Sequence, residues 1–253
     1  MATPVAGSEP LEFLPELDIR APERQRRWTV LLRLVLLIPH AVWLSLVGIA
    51  VFVVAVISWF AALFLGRLPK WSARFLAGYL GYYTRVYAYS YLLVDRYPPF
   101  AWDAPEHPVQ VTLAPGRLNR LAVLFRIILA IPAIIVADVV ASGWAALSFF
   151  IWLIVLVIGR VPAPVLGATA AVARYEFRFQ SYFLMLTSAY PKGLFGDLPA
   201  VDRHSDTRPL VLTPGGRVLL IVFIVLGILG TVGASVTETR TNQPSTSSYS
   251  ARP

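Results

Sequence analysis

Cysteine is absent from the 253 residues, and charge is scarce: Asp, Glu, Lys and Arg together make 14% of the chain against 57% hydrophobic residues. The missing cysteines exclude a disulfide framework, thiolate metal sites and a Cys nucleophile. The missing charge excludes a water-soluble fold, because soluble domains carry about a quarter charged residues and under half apolar ones. Lipid can solvate so much apolar surface, and water cannot. Acids are the scarcer sign, with 14 against 22 Lys and Arg, for a net charge of +8. The basic residues are spread among polar connections and form no patch. Their excess therefore reads as a topology signal and as attraction to anionic headgroups, not as nucleic-acid binding.

Long apolar runs are what the chain has in abundance. The first extends from Trp28 to Leu65, broken only by Arg33, Pro39 and His40. As one helix it would be roughly 57 Å long at 1.5 Å per residue, nearly twice a hydrocarbon core of about 30 Å. Pro39 removes a backbone donor and clashes with the preceding turn, so the pattern predicts a division there. Residues 24–38 are expected as an interfacial helix and 40–65 as the span. A hairpin turning near Gly48 is the lesser alternative, since each arm would be too short to cross. After Gly66-Arg67-Leu68-Pro69-Lys70 comes a Tyr-rich helix at about 71–95 with Arg85 in its middle, ended by Tyr97-Pro98-Pro99-Phe100.

The pattern then recurs. At an offset of 93 residues Arg33, Ile38 and Pro39 fall on Arg126, Ile131 and Pro132. Trp59, Gly66, Arg67 and Pro69 fall on Trp152, Gly159, Arg160 and Pro162, and Tyr82, Arg85, Tyr89, Tyr97 and Pro98 on Tyr175, Arg178, Tyr182, Tyr190 and Pro191. Apolar residues coincide by chance in membrane chains; Arg, Pro and Tyr in one register do not. Val111–Arg117 is echoed once more by Val211–Arg217, each before an apolar helix. The expected fold is all-α and polytopic. A cytoplasmic arm (1–23) precedes a first repeat (24–100), a connecting loop (101–116) and a second repeat (117–193). A loop (194–216), a transmembrane helix (217–235) and a Ser/Thr-rich disordered tail (236–253) follow.

The chain crosses five times if 71–95 and 164–188 both span, and three times if neither does. Arg174, Glu176 and Arg178 weigh against the second of these, since a central charge costs about 2.5–3.5 kcal/mol on insertion scales. One span per repeat would make the repeats inverted, and two would make them parallel. Arg20, Arg24, Arg26 and Arg27 favour a cytoplasmic N terminus; Arg67, Lys70 and Arg74 argue mildly the other way.

Few residues offer chemistry. Arg33 and Arg126 suit lipid phosphate or another anion, although snorkelling to the headgroups is the commoner fate of such a residue. Arg85 and Arg178 each precede a Tyr by four positions, on one helix face. Buried among Tyr and small residues, they would be structural or functional, with Glu176 and Asp138 as possible partners. Asp138 lies alone in its apolar tract and reads as a cap or an Arg partner. His40 is expected to bond carbonyls freed by the kink. The Tyr and Trp content fits interfacial belts. Phosphate-binding glycine loops, His-Glu-x-x-His and Gly-x-Ser-x-Gly are absent, so no catalytic, cofactor or metal site is assigned and the protein is read as non-enzymatic.

The segments Ile38-Pro39-His40, Gly66-Arg67-Leu68-Pro69, Arg85 and Leu92–Phe100 resemble a bacterial membrane family known as domain of unknown function 4389. The likeness covers 25–103 and, more loosely, 118–197. The second copy departs at Ala133, in place of His40, and at Lys192-Gly193, in place of Pro99-Phe100. The first has Lys70-Trp71 where an acidic or small residue and Gly are expected. The resemblance implies membrane class and a bacterial cell membrane, and no activity. An accessory or scaffolding subunit is the first reading of role, with other membrane proteins, a second copy and the lipid bilayer as partners. A transporter or lipid- or anion-handling protein with a site between the repeats is the second.

Overall fold

The computed structural model describes residues 13–197, 205 and 207–241, with backbone alone beyond 233. Its elements run β1 (Glu16–Ile19), α1 (Arg27–Leu31), α2 (Arg33–Leu65), α3 (Lys70–Ser90), β2 (Val109–Thr112), α4 (Arg120–Leu124), α5 (Arg126–Ile158), α6 (Ala163–Phe183) and α7 (Pro214–Thr241). Every helix of the first repeat has its counterpart 93 residues on, with the same length. The turns match as well: Gly66 and Gly159 both close a long helix in the left-handed region (φ 67° and 75°).

Among the described residues, three helices are long and apolar enough to cross a membrane: α2, α5 and the Pro214–Gly233 part of α7. The helices α3 and α6 are not among them. The expected break at Pro39 does not occur. Helix α2 runs through it for 33 residues, about 50 Å, and α5 likewise runs through Pro132. A chain in lipid has no water to take up freed backbone groups, so a helix continues past a proline that would end it in water. The interruptions fall instead at Leu32 and Phe125, where the backbone leaves helical geometry for one residue. Gly48 lies inside α2, so the hairpin alternative is excluded.

Reciprocal contacts relate the halves. Trp59 Nε1 donates to Val123 O at 2.9 Å, and its counterpart Trp152 Nε1 donates to Val30 O at 2.8 Å. Leu118 N donates to Gly66 O and Gln25 N to Gly159 O, both at 2.8 Å. The start of α2 thus lies beside the end of α5, and the end of α2 beside the start of α5. The two long helices run in opposite directions, so with one span each the repeats are inverted. Helix α7 then packs antiparallel to α5, with Gly143 against Phe223 and Gly227 against Val139.

The polar elements form a second layer. Helix α3 turns back along α2, with Tyr89 at Arg33 and Tyr82 at His40, and the chain then returns beside α3 to Gly66. Within that return β2 pairs antiparallel with β1, from Glu16↔Thr112 to Ile19↔Val109. Thr207 Oγ1 accepts from Ile19 N at 2.7 Å, and Arg208 pairs with Glu16 at 2.5 Å. So β1 joins the two connections, and residues 16–19 are no free arm: Leu17 and Ile19 are buried. Their alternation with Glu16 and Asp18 is the period-two pattern of a strand. Exposed residues such as Asp103 and Glu106 line the first return. Irregular polar backbone persists at membrane depth only where protein covers it or water reaches it. This flank is therefore the water-facing side, and α2, α5 and α7 carry the lipid-facing surface. The final helix continues to Thr241, past the expected end at 235; the rest of the expected disordered tail, residues 242–253, lies outside the described residues.

Candidate functional site

Each repeat is braced by one arginine at the start of its long helix. The last carbonyls of a helix have no partner within it, and cations are favoured at that end. Arg33 and Arg126 fill this role for α3 and α6. Arg33 Nη1 donates to Tyr89 O at 2.7 Å, and Nη2 to Gln25 Oε1 at 3.2 Å, with the guanidinium 4.3 Å above the Tyr89 ring. Arg126 Nε donates to Tyr182 O at 2.7 Å and Nη2 to Thr187 O at 2.6 Å, 4.0 Å above the Tyr182 ring. Both are buried, 2% and 4% exposed, so snorkelling is overturned: the side chains turn inward onto their own repeat. Asp95 stands 3.6 Å from Arg33. Its counterpart is Ser188, and Arg126 is held by carbonyls.

Arg85 and Arg178 are buried too, but each secures the chain that follows its helix. Arg85 Nη2 donates to Ala101 O and, at 3.2 Å, to Trp102 O. Arg178 donates to Lys192 O at 2.7 Å and to Pro15 O at 3.2 Å. Burial lowers the Arg178 guanidinium to about 10, and Arg174 adds to this. Gly193 lies at φ 81° and a Cβ there would stand 2.6 Å from Arg178 Nη1, so only glycine lets the loop approach the cation. The expected pairing of Arg178 with Glu176 or Asp138 is replaced by these carbonyls. Tyr89 and Tyr182, four residues along, bond Arg33 and Arg126 instead. The ion pair of this region joins Arg174 to Asp197, and Arg174 Nη2 also donates to Gly193 O at 2.6 Å. Arg174 has Gly81 as its counterpart, so repeat matching could not single it out.

Glu176 is half-buried and accepts from Gln180 Nε2 at 2.9 Å. Burial pushes its carboxyl up, and the charge of Asp138 adds to this. Asp138 itself is exposed on α5. His40 is fully buried, but it does not bond carbonyls of a kink. Its Nδ1 lies 2.5 Å from the Tyr82 hydroxyl, and its ring stacks on Phe100 at 4.3 Å. In the second repeat Ala133 and Gly193 take these places, so the aromatic box belongs to the first half alone. Arg85, Arg178 and Asp138 do not converge on one cavity.

The geometry defines a polytopic α-helical membrane protein built from an inverted tandem repeat, each copy locked by a buried Arg–Tyr brace. The profile of the family described as a domain of unknown function (number 4389) matches residues 27–101 and again 120–194, more than half of the chain. The protein belongs to this family and carries its domain twice. No curated protein matches it, and neither does any solved structure.

Proposed function

We propose that the protein is a non-enzymatic accessory or scaffolding subunit of a larger membrane assembly in the bacterial cell membrane. One observation carries the reading. Helix α7 covers Gly143 and Val139 of α5, whereas the equivalent face of α2, Ala50 and Leu46 with neighbouring Ile49 and Val53, is left open. The second repeat buries this face within the chain and the first offers it to a neighbour. The buried cations support the same reading, because each is committed to carbonyls or rings of its own fold. The basic segment Arg24–Arg27 supports an N terminus in the cytoplasm. Arg67, Lys70, Arg117 and Arg120 gather at the opposite end of the spans and weigh against it.

A photo-crosslinking residue at Ile49, with Phe149 on α5 as the control, tests the role in intact cells. A discrete protein adduct at Ile49 and none at Phe149 is expected. Lipid adducts alone at both positions would refute it. The inverted repeats favour the second reading, a lipid- or anion-handling protein, since transporters of that symmetry place their sites between the repeats. Orientation is checked with Ser8→Cys, which an impermeant thiol reagent should leave unlabelled in intact cells.

A further inference from the structure

Beside Arg33, the first repeat encloses an open cavity of about 630 Å³. Arg26 and Thr29 line it from the segment before α2, Tyr89 from the end of α3, and Asp95, Arg96 and Tyr97 from the chain beyond. Its charges do not balance. Asp95 is the one carboxylate of the lining, and it already faces two cations, Arg33 at 3.6 Å and Arg26 at 3.9 Å. Arg96 is a third cation. Its Nη1 donates to Glu106 O at 2.7 Å, and the Glu106 carboxylate stands 3.9 Å from Nη2 and 88% exposed, where pairing is worth little. The Tyr89 hydroxyl is buried, and its ring lies under the Arg33 guanidinium at 4.3 Å. A cavity whose surroundings hold more guanidinium than carboxylate suits an oxyanion, since Arg matches phosphate oxygens in pairs.

The second repeat separates what folding needs from what it does not. At the matching places it keeps the apolar and aromatic residues, Leu129 for Leu36, Tyr182 for Tyr89 and Tyr190 for Tyr97. It lacks the charges and the Thr hydroxyl: Asn119 stands for Arg26, Ala122 for Thr29, Ser188 for Asp95 and Ala189 for Arg96. The same helices and the same Arg–Tyr brace form there without them. Asp95 is held within the fold by the Thr29 hydroxyl, Arg26 and Arg33; the charges of Arg26 and Arg96 are not needed to form these helices and this brace, and ligand recognition accounts for them.

Position identifies the ligand's remaining part. The cavity opens at the N-terminal end of a spanning helix, the depth of lipid headgroups. Leu36 lines it, and the exposed Leu34, Val35 and Ile38 continue down α2. We propose that this cavity binds the phosphate of an anionic phospholipid through Arg26 and Arg96, with an acyl chain lying along α2. A soluble phosphate ester shares the chemistry and lacks the chain.

The test uses the full chain in detergent micelles and fluorescent phosphatidylglycerol, with phosphatidylcholine as the zwitterionic comparison. The wild type should prefer phosphatidylglycerol by about tenfold. The triple variant Arg26→Asn, Thr29→Ala, Arg96→Ala should lose that preference while still melting cooperatively, since its residues already stand in the folded second repeat. The reverse transplant, Asn119→Arg, Ala122→Thr, Ser188→Asp and Ala189→Arg, should add a second selective site. Glycerol 3-phosphate at millimolar concentration distinguishes the sources: lipid that stays bound marks the phospholipid, and displaced lipid marks a soluble ester held by the same groups. Equal affinity for both lipids, or an unchanged preference in the triple variant, overturns the proposal. So does a transplant that gains no lipid.

Discussion

Adding one methyl group at two glycines should have opposite effects. A Cβ built on Gly143 in α5 would stand 1.7 Å from Phe223 O and 2.4 Å from its carbonyl carbon, on the backbone of α7. One on Gly227 in α7 would stand 1.9 Å from Val139 O in α5. These are backbone atoms, so no rotamer change relieves the overlap and the helices must separate. Overpacking of this kind costs typically 1–3 kcal/mol and occasionally more. At Gly48 in α2 nothing lies within 4 Å, and Ala is the better helix former by about 1 kcal/mol. Gly143→Ala should therefore lower the free energy of SDS-induced unfolding by about 2 kcal/mol, while Gly48→Ala leaves it unchanged or raises it. Combining Gly143→Ala with Gly227→Ala should cost less than the sum, because one separation of α5 from α7 relieves both overlaps. If Gly143→Ala behaves like Gly48→Ala, α7 does not dock on α5, and the uncovered face of α2 ceases to be exceptional.

Arg33→Gln and Arg126→Gln should each destabilise the protein by about 2–4 kcal/mol in detergent, as much as Arg85→Gln and Arg178→Gln, because all four are buried cations whose hydrogen bonds to carbonyls would be lost; melting curves of the four variants check this. His107 is 4% exposed, its Nδ1 accepts from Val109 N at 3.2 Å, and burial pushes it down to about 4 from an ordinary 6.5. The unfolded chain then binds more protons between those two values, so stability is full above about pH 6.5 and falls as pH drops towards 4, by about 2 kcal/mol; His107→Gln should flatten that slope in a pH series of thermal melts. Asp103→Cys and Glu106→Cys should react quickly with maleimide in proteoliposomes, whereas Phe52→Cys and Phe149→Cys, at 70% and 62% exposed on the apolar helices, should react slowly. Similar rates at all four would place the return segment in lipid.

The membrane class and the duplication were readable because they rest on composition and on Arg, Pro and Tyr in register. The depth of Arg33 was not readable. Its apolar neighbours suit a surface helix as well as a buried brace, and only the return of α3, with Tyr89 overhead, distinguishes the two. Pro39 misled because its cost is set by the surroundings: water offers a broken helix new partners and lipid offers none. The strand at Glu16–Ile19 was hidden by its acids, although its apolar residues alternate. Arg174 and Asp197 could not be paired from the sequence, since the first lacks a repeat partner and the second lies in a loop.

Once duplicated, the unit had two copies of every position and needed only some of them twice. The brace that closes a long helix onto its Tyr-bearing partner is kept in both, because each copy must satisfy its own helix ends. Elsewhere the copies part in a pattern that follows their neighbours. The second acquires what holds later chain: Gly143 where α2 has Ala50, for the approach of α7, and Arg174 where α3 has Gly81, for Asp197 and Gly193. The first, with no such chain to hold, keeps His40 against Phe100 and the charged cavity at Arg26 and Arg96. The departures in the second copy thus serve attachment within the chain, and those in the first line the cavity proposed to take a lipid. If the cavity residues served only to brace the first repeat, the second would need a substitute for Asp95 beside Arg126. It uses the carbonyls of Tyr182 and Thr187 alone.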